Sequence, residues 1–476
     1  RCAAAPAASQ GATLGDISAT GSASVKIVTT STGTFVAAWI NGTNKIQAST
    51  TTDGSTWTTP VDVSTAVAGS GVAANLSLVV TKTDKVVAMW AEQDSSSSPT
   101  VGSVKSAQFS SGTWSSPVTV RLGTGFSGNG FVATRPNLTA STAASSNKLM
   151  AVWSESNPIS GHTYFWIKAA VSTDAGATWT QIDNASSASA TASDGIPLRD
   201  AQIIHICDAT PACNYVAVWR ETTAGELAAN GSTLKSAKIA DSVVATGTAW
   251  SSVSTLSQTT SNANYSTLPR LSSPKVGTVL LTWGLNESTG RISIHSLASS
   301  DKGATWGSTI NPIDDSAPSG ANAGALFSSV ATLDYSAGKS VALWIYNSGS
   351  SITTKTSVGT TSGTGTSATT TWTTPVDIST PANVSRGADP KMIISGSTAI
   401  ALWADGSSSN QYIHKSVSTD AGVTWSKAAV ISDAWDSTSS RYVDAAVGSG
   451  SDPLLVSAWE RSNYIRSTVT VESVPT

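Results

Sequence analysis

Residues 35–39 read FVAAW, and seven later stretches repeat the form: VVAMW at 86–90, LMAVW at 149–153, YVAVW at 215–219, VLLTW at 279–283, SVALW at 340–344, AIALW at 399–403 and LVSAW at 455–459. Each is a short apolar run closed by tryptophan, and the steps between successive tryptophans are roughly 50 to 65 residues. Self-similarity at that period marks a repeat architecture. A second series alternates with the first: Trp57, Trp114, Trp179, Trp250, Trp306, Trp372 and Trp425. Of the seventeen tryptophans only Trp166 and Trp435 belong to neither series.

One complete unit reads as four strands, A to D: SASVKIVTT (22–30), TFVAAWI (34–40), KIQASTT (45–51) and WTTPVDVS (57–64). All are short, rich in Val, Ile and Thr, and separated by Gly, Ser, Asp and Asn turns. No segment sustains a 3.6-residue apolar period, so helix content is expected to be minimal. Four-stranded units repeated about an axis are the blades of a β-propeller, whose sheets pack face to face around a ring. The two tryptophan series then fill the widening wedges between blades. Trp166 and Trp435 stand outside that scheme and are the candidates for stacking on a sugar.

The eighth unit lacks its fourth strand, since the chain ends after strand C, YIRSTVTV (464–471). Residues 14–18, LGDIS, resemble the strand D endings PVDVS (60–64) and PVDIS (375–379). The N-terminal segment is therefore expected to complete the last blade. This gives an all-β fold: an eight-bladed β-propeller of four-stranded antiparallel blades at 14–476, preceded by a tail at 1–13. The same strand inserted into a neighbouring molecule would instead give a homo-oligomer or filament, although effective concentration favours closure within one chain.

Composition narrows the function. Charged residues make up 12% of the 476, and the net charge is −3. That argues against a nucleic-acid partner, which demands clustered Lys and Arg. No apolar run reaches the roughly 18 residues of a membrane span. Cys207 and Cys213 bracket the turn segment DATPA (208–212) between two strand-like runs, where a hairpin brings them close enough to bridge. Two unpaired thiols, or a soft metal pair, are the alternatives. A disulfide implies an oxidising compartment, hence a secreted or cell-surface protein. Cys2 is left over, open to lipidation, to pairing between chains or to no role at all. His162, His205, His295 and His414 show no metal-ligand spacing, and no nucleophile elbow or phosphate loop is present. No metal and no cofactor are expected.

The C–D turns carry a second pattern. Residues 172–179 read STDAGATW, 299–306 SSDKGATW and 418–425 STDAGVTW, with the shorter TTDGSTW at 51–57. These resemble the Asp-box, or BNR repeat, of the sialidase-like superfamily and of many secreted propellers. The local reason is that the Asp carboxylate accepts turn N–H groups, Gly takes the conformation other residues avoid, and Trp anchors the hairpin. Asp53, Asp174, Asp301 and Asp420 are therefore read as structural. The box occurs in odd-numbered units and is degraded in even ones, as a duplicated two-blade pair would leave it.

Charges recur at fixed places. Arg135, Arg199, Arg270, Arg386 and Arg441 lie at or just before strand A. Glu92, Glu155, Glu221, Glu287, Asp405 and Glu460 follow the strand B tryptophan, and Lys105, Lys168, Lys235, His295, Lys355, His414 and Arg466 open strand C. Up-and-down topology brings all three series to one face of the ring. Either they pair across adjacent blades, or they form a funnel for an anionic or hydroxyl-rich ligand with Arg as carboxylate clamp. The sialidase resemblance implies the second, with arginines on the substrate carboxylate and a Tyr–Glu nucleophile; Tyr442 beside Arg441 is the tyrosine so placed. The family's Arg-Ile-Pro motif has as its nearest counterpart Arg135-Pro136, in the third unit, and the family propeller has six blades. The resemblance thus covers blades and turns and not the catalytic set. The first expectation is a secreted or surface-displayed binding or adhesion module for a glycan or a surface protein, in some form of extracellular assembly. The second is a sialidase-like hydrolase or lyase, with Glu155 or Glu221 in proton transfer, and the third a purely structural coat subunit.

Overall fold

The computed structural model describes residues 15–16, 23–65, 76–94, 101–122, 134–159, 162–187, 189–191, 198–210, 212–221, 232–243, 245–247, 249–259, 269–286, 291–316, 323–349, 351–379, 388–407, 410–432, 443–449, 453–461 and 464–472. The tail at 1–13 lies outside them. These residues form eight antiparallel blades arranged in a ring, an eight-bladed β-propeller. The only helical element among them is a single 3-10 turn, Gly365–Ser367.

Strand B of each blade holds one tryptophan of the first series: Phe35–Ile40 in blade 1, Val86–Asp94 in blade 2, Leu149–Ile159 in blade 3 and Cys213–Glu221 in blade 4. Blades 5 to 8 continue with Val279–Asn286, Lys339–Asn347, Thr398–Ser407 and Leu454–Arg461. All eight of these indoles are buried. Each faces the preceding blade: Trp153 packs against Val87, Met89 and Val104 of blade 2, and Trp39 against Val456, Ala458 and Ile465 of blade 8. A buried tryptophan removes roughly 150–250 Å² from water, so each wedge gains on the order of 4–6 kcal/mol from its indole alone. Flatness matters as much as size, because the gap between neighbouring sheets is a slot.

Second-series tryptophans stitch the outer part of the same slots. The Trp57 indole N–H donates to Ser467 Oγ at 2.9 Å, Trp179 to Ser106 Oγ at 2.8 Å and Trp372 to Ser296 Oγ at 2.8 Å, in each case reaching strand C of the preceding blade.

The last blade is completed from the start of the chain. Gly15–Asp16 pairs antiparallel with Tyr464–Val471, Gly15 opposite Ser467 and Asp16 opposite Arg466. The hydrophobic contacts between blades 8 and 1 close the ring beside it. Blades 5 and 6 are additionally joined by a short parallel pairing, Arg291 and Ile292 with Ala323 and Gly324.

The four box turns behave alike. Asp174 Oδ1 accepts the Thr178 N–H at 2.9 Å and Oδ2 the Thr178 hydroxyl at 2.6 Å, while Ser172 Oγ accepts the Gly176 N–H at 2.8 Å. Asp301 and Asp420 repeat this arrangement, and Asp53 Oδ1 accepts from Ser55 and Thr56 at 2.8 and 2.7 Å. Each box glycine has a positive φ, between +72° and +84°. At each a Cβ would come within 2.6–2.9 Å of a valine of the preceding blade: Val469 at Gly54, Val87 at Gly176, Val216 at Gly303 and Val358 at Gly422. These four turns, on blades 1, 3, 5 and 7, each lie against the blade before them.

Candidate functional site

The position on strand A opposite the residue preceding the strand B tryptophan is equivalent in every blade, and in all but blade 2 it lines a central cavity. Strand A carries a register shift just before this position in blades 1, 3, 4, 6 and 7, so sequence spacing conceals the equivalence that the register reveals. Around the ring the position is Lys26, Ser77, Asn137, Gln202, Arg270, Ser329, Lys391 and Asp444. All eight are polar. Several bind the backbone of the next blade: Asp444 Oδ2 accepts the Ile27 N–H at 3.0 Å, Asn137 Oδ1 that of Ile203 at 3.0 Å, and Ser329 Oγ that of Met392 at 3.1 Å. A cavity of about 350 Å³ lies inside this belt. Burial alone would push the Asp444 carboxyl up, but the Lys391 ammonium at 2.6 Å, then Lys26, then the Ile27 N–H outweigh it and hold the group ionised.

A second arrangement sits in the slot between blades 2 and 3. Strand pairing sets Glu155 opposite Trp166 and Trp153 opposite Lys168, and period-two alternation puts all four on the face turned toward blade 2. Arg121, from the fourth strand of blade 2 (Val118–Leu122), crosses the slot. Its Nε lies 3.1 Å from both Glu155 oxygens, its Nη2 2.7 Å from Oε1, and its Nη1 donates to Gln181 Oε1 at 3.1 Å. Glu155 Oε2 also accepts the Trp153 indole N–H at 3.1 Å. The Lys168 ammonium stands 4.9 Å from the centre of the Trp166 ring, and Tyr164 lies 6.0 Å from it. Burial lowers the Lys168 ammonium's affinity for its proton, with Glu155 opposing and Arg121 adding to the shift. Glu155 is buried, whereas Trp166, Tyr164, Lys168 and Arg121 are partly exposed and Gln181 is exposed. A partly exposed indole with an ammonium over one face, beside a slot that holds further fixed donors and acceptors, suits a ligand with one apolar face and a polar rim.

Among the described residues, the carboxylates that follow strand B tryptophans serve the indoles in two blades, Glu92 accepting from Trp90 at 3.0 Å as Glu155 does from Trp153 at 3.1 Å. Blade 6 has Tyr346 at the corresponding position, and Trp344 donates instead to Asp314 of blade 5 at 3.1 Å. The basic residues opening strand C lie opposite the tryptophans, His295 and His414 stacking on Trp283 and Trp403 at 6.0 and 5.7 Å.

Of the arginines singled out in the sequence, Arg270 is on the channel belt, its Nε donating to Ser328 O at 3.3 Å. Arg135 and Arg199 are not its equivalents. They lie two and three residues before the belt positions Asn137 and Gln202, and their side chains, like Arg386, Arg441, Tyr442 and Trp435, lie outside the described residues. Glu221 is half-buried at the end of its strand opposite Leu198. Arg121, absent from the recurring series, pairs across adjacent blades with Glu155. Cys207 and Cys213 face each other across a hairpin, Cα atoms 4.0 Å apart and sulfurs bonded at 2.00 Å. His205 lies beside them, but its Nδ1 accepts the Thr142 N–H at 2.9 Å, and the two sulfurs are joined in the disulfide rather than held as thiolates.

No protein-family model matches this chain, and no curated protein does. Among solved structures it is similar to the BP39L lectin of Burkholderia pseudomallei, at 12% identity over 87% of this chain and 100% of that one with a TM-score of 0.52. The α-L-arabinofuranosidase Arb93A of Fusarium graminearum is 13% identical over 71% of this chain and 92% of its own, TM-score 0.39. The NanB sialidase of Streptococcus pneumoniae is 13% identical over 82% and 66%, TM-score 0.39. Identities this low make the likeness one of fold.

Proposed function

We propose that this chain is a glycan-binding β-propeller, secreted or displayed at a cell surface, whose sugar site is the slot between blades 2 and 3. The observation that carries the reading is Trp166: an indole outside both packing series, partly exposed, with the Lys168 ammonium over one face of its ring and the Arg121-bound Glu155 opposite it in the sheet. The C–H face of a sugar ring carries partial positive charge and meets the negative face of an indole, while its hydroxyls bind the charged and amide groups alongside. Support of a broader kind comes from the lectin among the solved likenesses and from the Asp-box pattern. The Cys207–Cys213 pair suits an oxidising compartment. A hydrolase of the sialidase kind would need several arginines on one carboxylate; among the described residues Arg270 is the one arginine lining the channel, and both Glu155 oxygens are occupied. The test is a glycan array followed by calorimetry on the best binder, with native protein and Trp166→Ala. The variant should bind at least tenfold more weakly with its unfolding midpoint nearly unchanged. Equal binding by both proteins, or no glycan bound by native protein, overturns the reading; release of free sugar from the bound glycan would point to the hydrolase.

A further inference from the structure

Strand D is anchored to strand C by a recurring pair of hydrogen bonds, which among the described residues blade 8 does not show. The residue after the strand D tryptophan is Thr58 in blade 1, Ser115 in blade 2, Ser251 in blade 4, Thr373 in blade 6 and Ser426 in blade 7. In each its N–H donates to a strand C carbonyl, and its hydroxyl accepts the N–H of that same strand C residue at 3.0 Å; the partners are Thr50, Gln108, Lys238, Val358 and Val417. Counted from the residue opposite the strand B tryptophan, the same place in blade 8 is Val469. The N-terminal strand stops short of it, with Gly15 opposite Ser467, and among the described residues no Ser or Thr fills the place. Asp16 lies opposite Arg466 as Asp62 lies opposite Gln47, so in sequence Gly11 and Ala12 correspond to Trp57 and Thr58. The start of the chain thus carries neither the indole nor the hydroxyl. Thr468 points to the same place. Its equivalents Ser49, Ser357 and Ser416 donate to the carbonyls of Thr58, Thr373 and Ser426 at 2.6, 2.7 and 2.7 Å, whereas Thr468 is 2% exposed and its hydroxyl has no hydrogen-bond partner among the described residues. A buried hydroxyl without a partner is costly, and an open strand edge invites pairing. Val471, at the end of this edge, is 58% exposed.

We propose that the edge of blade 8 at 468–471 docks an extended peptide segment of a partner protein, one in which an aromatic residue precedes Ser or Thr. The five filled edges define the fit. The segment runs antiparallel to strand C with its Ser or Thr opposite Val469: its N–H donates to the Val469 carbonyl, its hydroxyl accepts the Val469 N–H, and its carbonyl accepts the Thr468 hydroxyl. Main-chain bonds of this kind supply affinity, and side chains supply specificity. The preceding residue is tryptophan in all five blades, and period-two alternation turns it toward the blade before, here blade 7. Lys415 of blade 7 is tied to Glu472 at 2.5 Å, and its ammonium favours an aromatic neighbour. The segment is short, because Gly15 and Asp16 hold the edge beside Ser467 and Arg466.

The probe is a fluorescein-labelled peptide with the sequence of residues 369–375, TTTWTTP, titrated with the full chain and followed by anisotropy. Native protein should bind it saturably, one per chain. Alanine in place of the threonine that follows tryptophan in the peptide, or Thr468→Val in the protein, should weaken binding about two- to tenfold, the worth of one hydrogen bond. A scrambled peptide should not bind. Hydrogen exchange over 464–472 should slow when TTTWTTP is added and stay unchanged with the scrambled peptide. Should Thr468→Val fail to fold, the alanine peptide decides the matter with native protein alone. No saturable binding, binding unchanged by the alanine peptide, or exchange over 464–472 unaltered by the bound peptide overturns the proposal. Exchange already slow over this stretch without peptide, and quickened by dilution, assigns the edge to a second copy of the chain and overturns it as well. Trp166→Ala should leave peptide binding unchanged, which separates failure here from failure of the glycan reading.

Discussion

Substituting alanine for Gly176 and, separately, for Gly112 measures how far the box turns hold the ring together. Both glycines have φ of +84°. A left-handed backbone costs alanine about 1–2 kcal/mol, and the loss of unfolded-chain entropy on replacing glycine returns part of that in both variants equally. Only the surroundings differ. A Cβ on Gly112 meets nothing within 4 Å, whereas one on Gly176 would lie 2.9 Å from Val87 Cγ1 and 3.4 Å from its Cγ2. Val87 is fully buried in the blade 2–3 core and its short branched side chain cannot swing aside. Overpacking of this kind costs about 1–3 kcal/mol. Gly112→Ala should therefore lose about 1–2 kcal/mol and Gly176→Ala about 2–5 kcal/mol, read from urea unfolding followed by tryptophan fluorescence with the denaturant slope unchanged. Adding Val87→Ala to Gly176→Ala should destabilise by less than the sum of the single changes, with a coupling of at least about 0.5 kcal/mol. Losses within about 0.5 kcal/mol of each other, or strict additivity with Val87→Ala, would refute the claim that the turns act across the blade interface.

Two further outcomes follow from the site geometry. Hydrogen bonds from the Thr424 hydroxyl and N–H lower the Asp420 carboxyl from 3.8 to about 2. A depressed folded-state pKa gives stabilisation that is complete above the unfolded value and lost as pH falls toward 2. Asp420→Asn should thus be less stable than native protein at pH 7, and the gap should narrow between pH 4 and pH 2 in unfolding measured at each pH. Removing Arg121 as Arg121→Met leaves buried Glu155 with only the more distant charge of Lys168 to offset it, costing about 1–3 kcal/mol, below the figure for a sealed pair because Arg121 is 29% exposed. Pairing it with Glu155→Gln should recover part of that loss in the same assay.

The ring was legible because its signal repeats. Eight indoles in eight slots give a period that no single blade could, and the short likeness of LGDIS (14–18) to PVDVS (60–64) was enough to predict the closing strand. The turns at Asp174, Asp301 and Asp420 are local in sequence, each carboxylate accepting from the N–H of a threonine four residues on. The belt was not legible. Its eight residues are of six types, and the strand A register shifts displace them relative to any fixed count from the tryptophan, which is why Arg135, Arg199 and Arg270 look alike in sequence and occupy different positions in space. Arg121 and Glu155 are 34 residues apart and on different blades, so only the packing of sheets brings them together. Trp166 lay between these extremes: its absence from both series flagged it, and strand pairing supplied its neighbours.

Joining the two ends of the chain in one blade is the claim on which the rest stands, and a cross-link tests it directly. Gly15 and Ser467 are register partners in the last blade, so in a Cys2→Ser background the pair Gly15→Cys and Ser467→Cys should oxidise to a disulfide within one chain. On a non-reducing gel the account predicts a monomer of altered mobility that returns to normal on reduction, with no ladder of higher species. Free thiols at both positions after oxidation, or cross-linked dimers and polymers in place of the monomer, would contradict it.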